Sequence, residues 1–256
     1  LNPSLPCDSY IQRDYKINAL SNRVVFRCDI DTDGAYELYS VPITGGSAMK
    51  LNDSLVSGGS VVSFKLSPDG TTAVYRADQD TDETIELYAV PITGGTPIKL
   101  NDSLVSGGDV ESFKISGDSN RVVYRADQDT DAEVELFSVP ITGAASPVQL
   151  NWVLVSGGNV ASFDISGDSA RVIYRADQDT DETIELYSVG ITGGTPVKLN
   201  SPLSSGRDVY YKYHISPDSS RVVFQADHDI DDVFEIYSVP INSGTAVKLN
   251  PAVVSG

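Results

Sequence analysis

The dipeptide Leu-Asn recurs at Leu1, Leu51, Leu100, Leu150, Leu199 and Leu249, and each occurrence opens the same pattern of 49 to 50 residues. Copies this short cannot bury an apolar face alone, so successive copies must cover one another. The second copy, 51–99, stands for the set. In it Val62, Phe64 and Leu66 alternate with Ser63 and Lys65, a period-two strand ended by the turn signal Ser67-Pro68-Asp69-Gly70. Further strands are predicted at 72–77, 84–92 and 96–100, with Gly94-Gly95 turning the third into the fourth. The third strand carries large residues on both faces (Ile85, Leu87, Tyr88, Val90), as expected of a sheet packed front and back. Helical periodicity is absent throughout.

Four antiparallel strands per copy, stacked sheet on sheet around an axis, predict an all-β chain: a five-bladed β-propeller of four-stranded antiparallel blades. The order Ser-Pro-Asp-Gly, strand, acidic turn, Glu-Leu-Tyr-Ala-Val, Gly-Gly turn and final strand over 67–100 resembles the TolB-like propeller repeat. The resemblance covers essentially the whole chain and is best in the second and fifth copies. In the third and fourth, Gly117-Asp118 and Gly167-Asp168 replace Pro-Asp, and in the first Ala19-Leu20 stands there. It implies a fold that hosts enzymes, scaffolds and lectin-like binders alike, so it does not choose a function. A single propeller domain over 1–256 is expected, with repeats 1–50, 51–99, 100–149, 150–198 and 199–256. Leu1-Asn2-Pro3 and Leu249-Asn250-Pro251 both read as the end of a fourth strand. A closed five-blade ring is the favoured expectation, and a segment of a longer array is the alternative.

Every copy carries Asp-x-Asp-x-Asp-x-x-x-Glu between its second and third strands. The members are Asp29, Asp31, Asp33 and Glu37; Asp78, Asp80, Asp82 and Glu86; Asp127, Asp129, Asp131 and Glu135; Asp177, Asp179, Asp181 and Glu185; and Asp227, Asp229, Asp231 and Glu235. Oxygen ligands at positions one, three, five and nine of a loop are what a hard cation such as Ca²⁺ requires. The spacing resembles the calcium hairpins of integrin-type propellers. Gly34 stands at position six of the first copy, where a sharp turn is wanted, but Glu83, Ala132, Glu182 and Asp232 stand there in the others. The competing expectation is a set of polar turns without an ion, in which Asp caps the turn and Glu37, Glu86, Glu135 and Glu185 pair across the hairpin with Arg27, Arg76, Arg125 and Arg175. Topology expects these hairpins to share one side with the connections between copies, such as 52–60, and the Asp-Gly and Gly-Gly turns to share the other.

The net charge of −18, from 36 acidic and 18 basic residues, argues against nucleic acid and anionic lipid and for cations or basic proteins as partners. No apolar run approaches the ~20 residues that span a bilayer. Cys7 and Cys28 fall on the hairpin side of the first copy, where a disulfide would pin the N-terminal segment; two free thiols are the alternative. With the Ser-, Thr- and Asp-rich make-up they fit an extracellular or periplasmic protein. The opening Leu1-Asn2-Pro3 reads as a mature or excised piece, without a signal peptide. Trp152 replaces the Asp53 and Asp102 of other copies and is either an exposed binding anchor or a packed loop aromatic. Asn52-Asp53-Ser54 and Asn101-Asp102-Ser103 fit the glycosylation tripeptide. The histidines, His214 and His228, repeat nowhere and support no Ser/His/Asp arrangement.

Near-identical copies suit repeated recognition better than catalysis, which needs an asymmetric cluster of groups. The expected function is extracellular, non-enzymatic binding or scaffolding of protein or glycan partners. A structural subunit joined by self-association through the chain ends is one alternative. Another is a carbohydrate-active hydrolase or lyase using carboxylates unique to single copies, among Asp14, Glu111, Asp164 and Asp208.

Overall fold

The computed structural model describes residues 11–204, 206–230 and 232–251, except for the side chains of 11–13. The described residues form five four-stranded antiparallel sheets, one per sequence copy, each with its strands in chain order. The first blade holds β1 (Ile11–Ile17), β2 (Arg23–Cys28), β3 (Glu37–Pro42) and β4 (Met49–Lys50). The second holds β5 (Val61–Leu66), β6 (Thr72–Ala77), β7 (Glu86–Pro91) and β8 (Ile98–Lys99). The third holds β9 (Val110–Ile115), β10 (Arg121–Ala126), β11 (Glu135–Pro140) and β12 (Val148–Gln149). The fourth holds β13 (Val160–Ile165), β14 (Arg171–Ala176), β15 (Glu185–Gly190) and β16 (Val197–Lys198). The fifth holds β17 (Val209–Ile215), β18 (Arg221–Ala226), β19 (Glu235–Pro240) and β20 (Val247–Lys248).

Three local departures from the expected strands have physical causes. In β5 a bulge between Val61 and Ser63 turns Val61 inward beside Phe64 and leaves Val62 on the solvent side. β7 starts at Glu86 rather than 84 because the Ile85 backbone serves the next blade: its N–H donates to Asp109 Oδ1 (2.6 Å) and its carbonyl accepts from Val110 N (2.8 Å). β8 shrinks to two residues, pairing Tyr88 with Lys99 and Ala89 with Ile98, because Gly94 and Gly95 turn with positive φ and Pro97 has no N–H to offer.

Two compact units divide the chain: Leu1–Val122 with Val139–Pro147, and Val123–Ser138 with Val148–Gly256. In the first unit, Val25 and Leu38 of one blade pack with Leu51 against Val61, Phe64, Tyr75, Tyr88 and Val90 of the next. The opposite face of the first blade buries Phe26, Cys28, Tyr39 and Val41. In the second unit the pattern repeats, with Ile173 and Leu186 packing with Leu199 against Val209, Val222, Phe224, Tyr237 and Val239. Each blade thus has a rear face of stacked aromatics, such as Tyr75 on Tyr88 and Tyr174 on Tyr187 with centroids 5.2 Å apart, and a front face led by a leucine. Burying one such leucine contributes about 1.5–3 kcal/mol.

Polar links follow the same direction. Within the first unit Val61 N donates to Tyr36 O (2.7 Å), and within the second Val160 N to Val134 O and Val209 N to Ile184 O (both 2.8 Å). The expected Arg–Glu pairs across the hairpins do not form where the arginines' contacts are described. Register opposes Arg76 to Leu87 and Arg27 to Leu38, so the guanidinium points forward instead. Arg27 reaches Val61 O at 2.8 Å, Arg76 reaches Glu111 O, and Arg175 reaches Val209 O through both Nε and a terminal nitrogen.

Candidate functional site: the acidic hairpins and their broken copy

The hairpin between the second and third strand of a blade lies against the connection that leads into that blade. Asp53 N donates to Gln79 Oε1 (3.2 Å) and Ser60 N to Asp78 Oδ1 (2.6 Å), and Asn159 N donates to Asp177 Oδ1 (2.5 Å). Both segments therefore share one side of the blade, as topology predicts.

The four carboxylates of a hairpin have separate tasks. The first aspartate is buried and caps the turn: Asp29, Asp127, Asp177 and Asp227 accept the N–H of residue six, from Gly34 (3.3 Å), Ala132 (3.2 Å), Glu182 (3.3 Å) and Asp232 (3.2 Å). In these four copies the bond goes with a left-handed residue six, at φ 79° for Gly34, 64° for Ala132, 59° for Glu182 and 60° for Asp232, and Glu83 of the second copy is left-handed too, at 60°. The tight loop forms without glycine, because the buried cap enforces it. The third carboxylate of the set leans on the incoming connection: Asp82 lies so near Gly58 (φ 93°) that a Cβ there would stand 2.5 Å from Oδ1. Asp231 lies outside the described residues.

The second aspartate and the glutamate share a lysine. Lys50 bridges Asp31 (2.9 Å) and Glu37 (2.8 Å), and Lys99 bridges Asp80 (2.8 Å) and Glu86 (2.7 Å). Lys198 joins Asp179 to Glu185, and Lys248 joins Asp229 to Glu235. Each of these glutamates also accepts a tyrosine hydroxyl, from Tyr39 and Tyr88 (both 2.8 Å) and Tyr237 (2.9 Å) on the other oxygen, and from Tyr187 (3.0 Å) on the same oxygen of Glu185 that Lys198 meets. Burial opposes the charge on Lys99, yet its bonds to Asp80 and Glu86 outweigh that and raise its pKa. A lysine ammonium thus supplies positive charge in four of the five hairpins, and among the described residues no three acidic, histidine or cysteine side chains gather as a metal ion would need.

The third copy breaks the pattern. Gln149 stands in the lysine position and Phe137 in the tyrosine position. Gln149 Nε2 donates to Glu135 Oε1 (2.7 Å), but Glu135 Oε2 is buried without a hydrogen-bond partner. Burial, with the charge of Asp129 adding to it, pushes the Glu135 carboxyl up to about 7. Beside it, Asn151 accepts from Leu136 N (2.8 Å) and donates to Trp152 O (2.7 Å), and Trp152 and Val153 project into solvent. Trp152 is therefore the exposed aromatic rather than the packed one.

The fifth copy departs in another way. Tyr75, Tyr124 and Tyr174 donate to the glutamine that opens the hairpin, but Phe224 lacks the hydroxyl and His228 replaces the glutamine. A cavity of about 190 Å³ remains, lined by Asn200, Phe224, His228, Tyr237 and Lys248. His228 Nδ1 lies 2.9 Å from Asp229 Oδ1, and His214 pairs with Val223 in the ladder.

Other candidates are engaged locally. Asn52 and Asn101 are buried, each accepting the N–H of the leucine that follows the hairpin glutamate, Leu38 (2.7 Å) and Leu87 (2.8 Å), so the glycosylation tripeptides are structural. Asp14 pairs with Lys16 and Arg27, Asp208 caps Ile184 N (2.7 Å), and Asp164 accepts from Ile165 N (2.9 Å). Cys28 is buried at the end of β2, where desolvation pushes its thiol up to about 12; it has no disulfide among the described residues, and Cys7 lies outside them.

Five four-stranded sheets of one design, packed front to rear within each unit, decide the architecture. The fold is of the β-propeller type. No protein-family model and no curated protein matches the sequence. Solved structures do match. Prolyl oligopeptidase B from Galerina marginata aligns with a TM-score of 0.60 at 11% identity, over 94% of this chain and 37% of that one. Oligogalacturonate lyase from Vibrio parahaemolyticus aligns at 0.54 and 14% identity, over 95% and 67%. TolB from Acinetobacter baumannii aligns at 0.45 and 14% identity, over 91% and 54%. The chain spans little more than a third of the peptidase's length, and at these identities the likeness is one of fold. Among the described residues no helix is long and apolar enough to cross a membrane.

Proposed function

We propose that this chain is a non-enzymatic binding and scaffold propeller working in an extracellular or periplasmic setting, and that its third blade receives a basic group carried by a protein or glycan partner. The observation that carries the reading is the third hairpin: it alone lacks the lysine and the tyrosine hydroxyl, leaving Glu135 under-satisfied, while the adjoining connection exposes Trp152. A cation entering there gains a partly desolvated carboxylate and an indole face, a combination worth about 1–2 kcal/mol beyond simple charge attraction. The net charge of −18 steers basic partners toward the surface. The near-identity of the other hairpins, whose carboxylates are consumed by their own lysines, supports recognition rather than a catalytic cluster.

Trp152 is the only tryptophan, so its emission reports on this site alone. Titration with hexalysine or with chitosan oligosaccharide at pH 8 is expected to change that emission saturably, and Glu135→Gln is expected to abolish the change. A flat titration with both probes, or unaltered binding by Glu135→Gln, would remove the reading. Divalent-ion loading is the competing occupant. It predicts a Ca²⁺-dependent rise in melting temperature that a chelator reverses, and in four hairpins the ion must displace an ammonium. Release of reducing ends from polysaccharides would instead favour the hydrolase or lyase class.

A further inference from the structure

The fifth blade changes three positions at one spot without compensating them. In the second, third and fourth blades a buried tyrosine hydroxyl meets the buried glutamine that opens the hairpin, at 2.8 Å for Tyr75 on Gln79 and 3.0 Å for the other two pairs. Pro97, Pro147 and Pro196 precede the fourth strand of those blades. The first blade replaces the polar pair by an apolar one, with Ile30 and Ala48 packed against Phe26. The fifth does neither. Phe224 lacks the hydroxyl, Ala246 is smaller than the proline, and His228 reaches Asp229 instead of meeting an aromatic hydroxyl. The half-open cavity of about 190 Å³ is the space these changes leave. Every described lining residue lies between Asn200 and Lys248, so the second unit builds the cavity by itself.

The chemistry of the wall selects an occupant. Lys248 is held between Asp229 and Glu235, and His228 leans on Asp229, so a free ion of either sign finds no unpaired opposite charge. Hydrogen-bonding capacity remains. With Nδ1 of His228 donating to the Asp229 carboxylate, Nε2 of the neutral imidazole is an acceptor that no described residue serves. The Lys248 ammonium has a third N–H beyond the two its carboxylates take. Phe224, Tyr237, Leu203 and Ala246 supply the apolar remainder. At ~30 Å³ per molecule the space equals about six waters, too small for a drug-sized ligand. A compact neutral molecule with hydroxyls that both donate and accept, and with C–H groups to lie on aromatic and aliphatic walls, matches this lining. We infer that the fifth blade binds a single neutral pyranose, either as a free sugar or as the non-reducing end of a glycan. This site is separate from the third blade and does not depend on the basic ligand assigned there.

Saturation-transfer NMR at pH 8 tests it, with methyl α-glucopyranoside, methyl β-galactopyranoside and methyl α-mannopyranoside as probes, each at ~20 mM, above the millimolar Kd expected of so small a ligand. At least one is expected to receive magnetisation from the protein's aromatic protons and to shift the His228 ring resonance, which His214→Gln identifies because the chain has two histidines. Phe224→Tyr with His228→Gln restores the pair that three other blades accommodate, so it should fold and weaken binding at least about tenfold. Ala246→Leu fills the cavity from the other side and should do the same. Disaccharides ending in the sugar that binds separate the two sources: tighter binding than the methyl glycoside assigns a glycan end, and loss of binding assigns the free sugar. No transfer to any of the three pyranosides overturns the inference, as does equal transfer in both folded variants. A His228 shift produced by acetate or phosphate but by none of the sugars also overturns it, since the cavity would then be an anion site.

Discussion

Replacing Gln149 with lysine gives the third hairpin the ammonium that the other four possess. In the native protein the Glu135 carboxyl stands at about 7 against an ordinary 4.5, raised first by burial and then by Asp129. A carboxyl whose folded-state pKa is raised contributes full stability below its unfolded value, and that contribution is lost as pH climbs toward the folded value. The native chain therefore loses stability between pH 4.5 and 7 through this group. At about 1.4 kcal/mol per unit the ceiling is about 3.4 kcal/mol, and screening of a side chain that is only partly buried brings the expected loss to about 1–2 kcal/mol. Gln149→Lys pairs the carboxylate and cancels that loss. Urea unfolding of both proteins at pH 5 and pH 8 isolates the effect, because every other titrating group is common to the two. The gain from the lysine should be larger at pH 8 by about 1–2 kcal/mol, or about 2–4 °C of melting temperature per kcal/mol. An equal gain at both pH values would refute the assignment of Glu135 as the unpaired carboxyl.

Three further outcomes are expected. Ala132→Gly relieves a left-handed residue without disturbing the cap from Asp127, and should raise stability by about 0.5–1 kcal/mol in thermal unfolding; a destabilised variant would show that the cap had already absorbed the strain. Asn101→Ala strands the buried N–H of Leu87 and should cost about 1–3 kcal/mol in urea, while mass spectrometry of protein from a glycosylating host should find Asn101 unmodified. Thiol titration in denaturant should detect no free thiol before reduction and two after it, if Cys28 closes with Cys7; two before reduction would remove the disulfide.

The strand order, the repeat period and β6 at 72–77 were legible because alternation and turn residues speak for themselves. The bulge at Val61 was not, since Val61 and Val62 are the same residue type and only the pairing with Ala77 and Arg76 tells which faces inward. The roles of Arg76 and Glu86 were misread for a related reason: residues that look opposed across a hairpin are offset by one in the ladder, and one residue reverses the face. The lysine bridge had a sequence signal, a lysine just before each Leu-Asn except at Gln149, but it lay in the short final strand, where only apolar residues draw attention. The exposure of Trp152 could not be read, because both its packed and open settings fit the same loop.

The forward-pointing bonds have a consequence for how the chain comes together. Ile85 and Val134 have carbonyls that only a later strand satisfies, and Arg27 and Arg175 donate to carbonyls more than thirty positions downstream. A unit cut out alone would carry dangling acceptors and an oily flank, so order must spread along the polymer like a zipper, each tooth seated by the one that follows.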